Sequence, residues 1–231
     1  MLEKSAMTHF WHEPFDDSDI KWLAYSGLAA CAIVLGLMLL TFRPAPAAPP
    51  MASSTVIISN DEGHGSGVHI GHGFILTAAH VVEGQTSMQI TDDRGRVQTG
   101  AVLWANKAYD VALIQIDQPK TLAASRLDCT ARLAVGDEIS AFGNPLNLKF
   151  IRTWGRVASD YGAREPWKSS FVASIAVAPG MSGGPVFDRT GDVVGLAVGL
   201  AARGSLFGGM APFAISYVVP SSAVCLLMAR A

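Results

Sequence analysis

The sequence predicts an all-β protein of the barrel or sandwich kind, preceded by one apolar helix and a stiff spacer. Three observations carry that reading. From Thr55 onward, short β-type apolar runs recur about every 8–15 residues, separated by glycine, proline and Asp/Asn clusters. Helical periodicity is weak across this region except over Ser221 to Met228, which predicts a short terminal helix. Of the 231 residues, 50% are hydrophobic and 16% charged, which is enough apolar material for a large core and excludes disorder by composition. The net charge of −2 gives no electrostatic basis for binding nucleic acid.

The elements follow in order. Residues 1–21 form an acidic N-terminal tail. Trp22 to Phe42 is a 21-residue run without a charged side chain, bracketed by Lys21 and Arg43. As a helix it would rise about 30 Å, the thickness of a bilayer core, with Trp22, Tyr25 and Phe42 suited to the interfaces. A cleaved signal peptide is the rival, because Ala45-Pro46-Ala47 resembles a processing site. The length of the run and the acidity of the tail favour a retained anchor. Lys4 and Lys21 before the span, against Arg43 after it, place the tail in the cytoplasm and the bulk of the chain on the far side. Residues 43–54 hold four prolines and read as an extended linker. Residues 55–231 are the folded domain, with strands expected over Val56–Ile58, Gly67–Ile70, Phe74–Leu76, Ser87–Ile90 and Val111–Ile116. Hairpin turns are expected at Asp92–Gly95 and Asp188–Gly191. Of the three cysteines, Cys31 packs in the apolar run. Cys129 and Cys225 are either a disulfide or, more blandly, two buried thiols.

Three segments carry chemistry. Phe74-Ile75-Leu76-Thr77 reads as a strand delivering His80 to its end, where an imidazole can take and return a proton near neutral pH. Asp110 lies 30 residues later at the mouth of the apolar strand Val111–Ile116. A carboxylate there needs a partner, and histidine is the expected one. Asp117, Asp128 and Asp137 lack that setting. Ser182 lies in Gly180-Met181-Ser182-Gly183-Gly184-Pro185, a loop tight enough to aim the Gly180 and Ser182 amides at one point. A serine hydroxyl, a base and an orienter are what nucleophilic attack on a carbonyl requires. His64, His69 and His72 cluster within nine residues but read as solvated strand-face histidines, with His72 exposed in a hairpin, rather than as a metal site.

Several collinear segments resemble the trypsin-like serine proteases of chymotrypsin fold, and within them the HtrA/Deg family. They are Gly65-Ser66-Gly67-Val68, Leu76 to Val82, Asp110 to Ile116, Ala141 to Pro145, Gly180 to Pro185, Gly191 to Leu196 and Ile215 to Ser221. The resemblance implies two packed six-stranded antiparallel β-barrels. The catalytic triad is then His80, Asp110 and Ser182, the oxyanion hole Gly180 and Ser182, and no cofactor is needed. It also implies protein or peptide substrates, a homotrimer, and a role in protein quality control or regulated proteolysis. Three features depart from the pattern. Met181 stands where Asn or Asp is usual, no PDZ-like segment follows the protease pattern, and Ala158 to Ser170, with Trp167 and Lys168, is not family-like.

By the same resemblance, Ala176, Ala197, Val198, Gly199 and Leu200 line the primary pocket. All are apolar, so cleavage is expected after small aliphatic residues and not after Arg, Lys or Glu. The expected function is a membrane-anchored serine endopeptidase acting through an acyl-enzyme. The alternatives are a catalytically silent protease fold that binds partners at a membrane, and a protease that cuts its own linker near Val56.

Overall fold

The computed structural model describes residues 21, 25, 26, 28–34, 51–146, 148–204 and 210–230. The chain divides into two units, residues 1–47 and 48–231. In the first, the described residues are helical, with Tyr25, Leu28, Ile33 and Val34 exposed and Cys31 an exposed free thiol rather than a packed one. The remainder of the expected tail, of the 22–42 span and of the linker up to residue 50 lies outside the described residues. Among those described, no helix is long and apolar enough to cross a membrane.

The second unit begins with a helical turn, α1 (Met51–Ser54), at the end of the expected linker. The Ser54 and Thr55 hydroxyls both donate to the Met51 carbonyl, at 3.1 and 2.7 Å, so these residues are already part of the fold. A closed barrel follows, made of β1 (Thr55–Ser59), β2 (His64–Gly71), β3 (Phe74–Thr77), β4 (Ser87–Thr91), β5 (Val97–Asn106) and β6 (Val111–Ile116), in the order β1-β2-β3-β6-β5-β4. All five strands expected from the sequence fall within it. Closure leaves no free sheet edge. Val56 is fully buried in β1, opposite Gly67 of β2, so it offers no accessible site for self-cleavage.

Strand alternation explains the apolar run of β6. Ala112, Ile114 and Ile116 fill the barrel with Val56, Ile58, Ile75 and Ile90. Val111 and Leu113 point the other way, into a second cluster with Val68, Leu76, Phe142, Phe187, Leu196 and Val219. That cluster joins the barrel to a second sheet.

The second sheet comprises β7 (Glu138–Gly143), β8 (Ile151–Arg156), β9 (Gly162–Arg164), β10 (Trp167–Ala173), β11 (Pro185–Phe187), β12 (Val193–Gly204) and β13 (Met210–Pro220). Its order is β8-β7-β11-β12-β13-β10-β9. It has seven strands, and the second closed six-stranded barrel expected is not confirmed among the described residues. β10 pairs with β13 and with β9. The end of β8 also meets β10, at the Val157–Ala173 bridge and through hydrogen bonds from the Ser174 N–H to the Arg156 carbonyl and from the Ala158 N–H to the Val172 carbonyl, both at 2.8 Å. The chain ends in the expected helix, α2 (Ser221–Met228), which buries Ala223 and Val224. Cys129 and Cys225 form a disulfide with Cα atoms 5.7 Å apart, tying α2 to the 127–130 loop, so the reading as separate thiols is corrected. The Ser221 hydroxyl, donating to the Asp128 carbonyl at 2.5 Å, holds the same junction.

Candidate active site

His80 sits in a short 3-10 turn, Ala79–Val82, directly after β3. The turn leaves the imidazole about half exposed at the barrel rim, with a side-chain exposure of 45%. Asp110, in the turn that leads into β6, holds it at two points. One carboxylate oxygen accepts the His80 backbone N–H at 2.9 Å and the other meets Nδ1 at 2.7 Å. With Asp110 ionised, Nδ1 carries the proton and the Nε2 lone pair is left outward, as a base requires. Asp110 adopts a left-handed backbone at φ 56°, a conformation that aspartate tolerates and that aims the carboxylate back at β3.

The electrostatics fit that arrangement. The hydrogen bond that His80 donates to Asp110 raises the His80 pKa above its ordinary value, against the opposing effect of burial. Burial works against ionisation of Asp110, but hydrogen bonds from His80 and Trp167 outweigh it and hold its carboxyl below the usual range. Trp167 was not a sequence-derived site residue. Its indole N–H points at Asp110 Oδ2 from 3.4 Å, while its ring stacks on Tyr217 at 4.9 Å between centroids. A Cβ at Gly199 would lie 2.7 Å from that ring, so the glycine makes the slot in which the indole sits. The segment that looked least familiar in sequence thus reaches the His80–Asp110 pair.

The Ser182 loop comes from the second sheet, between β10 and β11. It docks on the barrel through Gly183, whose missing side chain lets the backbone lie against Ala78; a Cβ there would be 2.5 Å from the Ala78 nitrogen. Accounting for each backbone group shows what this loop leaves open. The carbonyls of Pro179, Gly180, Met181 and Ser182 accept from Leu146 N–H, Ser66 Oγ, Gly184 N–H and Ser66 N–H. The amides of Met181, Gly183 and Gly184 donate to Ala178, Ala197 and Met181. Within residues 179–184, the Gly180 and Ser182 amides are the two that have no acceptor among the described residues. Ser182 Oγ and His80 Nε2 make no hydrogen bond to each other among the described residues. Such contacts are often loose without substrate and tighten in the complex.

Met181 is 2% exposed and belongs to the core of the second sheet, with Ile139, Ala141, Phe171 and Val218. The unusual residue beside the serine is a hydrophobic anchor for the loop.

Beside Ser182 lies a cavity of about 200 Å³ lined by Ala178, Pro179, Met181, Ala197, Gly199 and Leu200, with Val177. Of the residues expected in the primary pocket, Ala197, Gly199 and Leu200 line this cavity. Ala176 is not in the cavity; it alternates with the fully buried Ile175 and faces solvent. Val198 is also displaced from it. It lines a neighbouring cleft of about 290 Å³ with His80, Asp110 and Trp167.

The three expected solvated histidines differ from one another. His72 is exposed in its hairpin, as expected. His69 is 3% exposed, with Nδ1 2.8 Å from the Ala123 carbonyl and Nε2 accepting the Gly73 N–H at 3.2 Å, which corrects the solvated reading. His64 Nε2 lies 2.9 Å from the Asn144 carbonyl. Among the described residues no three His, Cys, Asp or Glu side chains converge as a metal site would require.

A closed antiparallel barrel offering a His–Asp pair to a serine loop on a second antiparallel sheet defines the frame of the trypsin-like hydrolases. Residues 65–196, more than half of the chain, match the family model described as trypsin-like peptidase domain, and the chain belongs to that family. It is 32% identical over 167 residues to the periplasmic serine endoprotease DegP of Escherichia coli, a match covering 69% of this chain and 34% of DegP. It is 30% identical over 148 residues to the chloroplastic Protease Do-like 1 of Arabidopsis thaliana, covering 61% of this chain and 34% of that protein. Its fold is similar to that of the HtrA-type protease AlgW with tripeptide, with a TM-score of 0.66, 23% identity, and coverage of 78% of this chain and 60% of that one. The chain spans about a third of the length of these two curated relatives.

Proposed function

We propose that this chain is a serine endopeptidase. Ser182 Oγ attacks the scissile carbonyl, and His80 Nε2 takes its proton. Asp110 holds the imidazole and stabilises the imidazolium. The tetrahedral oxyanion is received by the Gly180 and Ser182 amides. His80 returns the proton to the leaving amine, the acyl-enzyme forms at Ser182, and water releases it by the same steps in reverse. One observation carries the reading: the His80–Asp110 clamp exposes a basic nitrogen at the barrel rim, and the facing serine loop leaves free the two amides this chemistry uses.

The apolar cavity beside Ser182 supports cleavage after Val, Ala or Ile, since nothing in its lining pairs with a charged side chain. A hydrophobic pocket discriminates by about 1–3 kcal/mol per methylene, so the preference is broad. The placement of the protease domain outside the cytoplasm, anchored through residues 22–42, is supported by three things. These are the uncharged run itself, the Cys129–Cys225 disulfide, which suits an oxidising compartment, and the periplasmic description of DegP. Hydrolysis of peptide nitroanilides ending in Val, Ala, Arg or Glu, by wild type and Ser182→Ala, is the test. Turnover of the Val and Ala substrates that is lost in the variant is expected. A preference for Arg or Glu sinks the specificity, and no turnover of any substrate sinks the activity.

A further inference from the structure

A polar network beneath the serine loop is left unused by the chemistry above. Ser66, on β2, is fully buried, and Asn144, just past β7, is 1% exposed. The Ser66 hydroxyl donates to the Gly180 carbonyl at 2.7 Å. It accepts the Asn144 backbone N–H and the Asn144 Nδ2–H, both at 3.0 Å. Two donors occupy its lone pairs, so its single proton has only Gly180 to go to. The Ser66 N–H meanwhile holds the Ser182 carbonyl at 2.8 Å. One residue of the barrel therefore fixes the carbonyls of both residues whose amides are free.

Asn144 is pinned in turn. Its Oδ1 accepts the Phe150 N–H at 2.8 Å, its Nδ2 also reaches the Val56 carbonyl at 3.3 Å, and its own carbonyl takes the His64 Nε2 contact. The same stretch sends Leu146 N–H to the Pro179 carbonyl at 2.9 Å. In a trans peptide the carbonyl and the following N–H point to opposite sides. Holding the Pro179 carbonyl toward Leu146 therefore turns the Gly180 N–H away from the 144–150 loop. A Cβ at Gly180 would collide with the Asn144 carbonyl, and its φ of 97° is one that glycine adopts freely, so loop and network fit each other closely.

We propose that Ser66 and Asn144 are positioning residues for the oxyanion hole: they orient the Gly180–Ser182 backbone from the barrel side without touching substrate. This rests on the endopeptidase reading for its kinetic consequence and not for its structural one. Transition-state donors are sensitive to placement, and an error of about 1 Å costs on the order of 100-fold in rate. Ser66→Ala is therefore expected to lower kcat roughly 10–100-fold, with KM changed less than about threefold. Affinity for a peptide boronate, whose tetrahedral oxygen occupies the hole, should fall in parallel with kcat. Asn144→Ala should act in the same direction but more weakly. The double variant should be no worse than Ser66→Ala, because the amide acts through the hydroxyl.

A second measurement does not need activity. In a Ser182→Ala background, amide exchange over residues 178–184 should quicken about tenfold on Ser66→Ala, with β4 unchanged as an internal control. Faster exchange in an inactive wild type upholds the positioning role and rejects the endopeptidase reading. Unchanged exchange and unchanged kcat overturn the proposal. So does a loss in which β4 exchange, KM and kcat all move together, since that is general destabilisation.

Discussion

Replacing Met181 by asparagine, the residue type usual beside the nucleophile in the resembled family, is expected to damage this protein. The Met181 side chain is 2% exposed, inside a core of aliphatic and aromatic groups that offers an amide no partner. Removing its apolar burial costs about 1.5–3 kcal/mol. Leaving a buried amide unsatisfied adds about 1–3 kcal/mol. The sum is roughly 2.5–6 kcal/mol, which for a domain of this size lowers Tm by roughly 5–24 °C. Met181→Leu keeps volume and polarity and should cost less than about 1.5 kcal/mol. Urea unfolding of the three proteins, read by tryptophan fluorescence, measures the differences. The Asn variant should also lose peptidase activity well below its unfolding midpoint, because the anchor lies between Gly180 and Ser182. A Met181→Asn protein as stable and as active as wild type would refute the reasoning that hydrophobic anchoring sets this loop.

Other outcomes follow from the same geometry. Trp167→Phe keeps the ring between Gly199 and Tyr217 but removes the N–H to Asp110. A long hydrogen bond of this kind contributes about 1 kcal/mol, so kcat/KM should fall roughly fivefold, and an unchanged value would dismiss the contact. Because the His80 pKa is raised, kcat/KM should fall on the acid side with an apparent pKa above 6.5, and a limb below 6.5 would contradict the Asp110 clamp. The sign for stability is the opposite. A raised histidine pKa contributes stability in full below 6.5 and loses it as pH rises through the folded value, so the His80 contribution fades where activity appears. Asp110, with a lowered pKa, contributes above 3.8 and loses it as pH falls through its folded value. The Cys129–Cys225 bond closes a loop with a sequence separation of 96, for which chain-entropy reasoning gives about 4–5 kcal/mol. Reduction, or Cys225→Ser, should therefore shift urea unfolding to markedly lower concentration, and no shift would exclude a stabilising role.

Much of the barrel was legible because β-type runs and turn residues encode it locally. The run Val111–Ile116 read as a buried strand, and the structure supplies the reason, which is that its two faces serve two different cores. Asp92–Gly95 and Asp188–Gly191 carried their turns in their own chemistry, with Gly95 and Gly191 donating back to Asp92 and Asp188. The second sheet was less legible because its order, β8-β7-β11-β12-β13-β10-β9, rests on long-range pairings that no local pattern records. The triad positions stood out because His80, Asp110 and Ser182 lie in motifs. Ser66, Asn144 and Trp167 were legible only as members of their segments, with no role of their own. A serine between glycines, an Asn before Pro145 and a tryptophan on an exposed-looking strand show no sign of their partners, which lie 114, 78 and 57 residues away. Ala176 and Val198, expected in the pocket, do not line the cavity beside Ser182. His69 was misjudged because its burial comes from the Ala123 carbonyl, brought in by a distant loop.

The central claim is that Ser182 is a nucleophile activated by His80 and Asp110. The most direct test is labelling with a fluorophosphonate, located by mass spectrometry of tryptic peptides. The account predicts one adduct, on Ser182, formed faster as pH rises through the His80 titration, slowed in Asp110→Asn and absent in Ser182→Ala. A wild-type protein that takes no label at any pH, or labels equally well as Ser182→Ala, would contradict it.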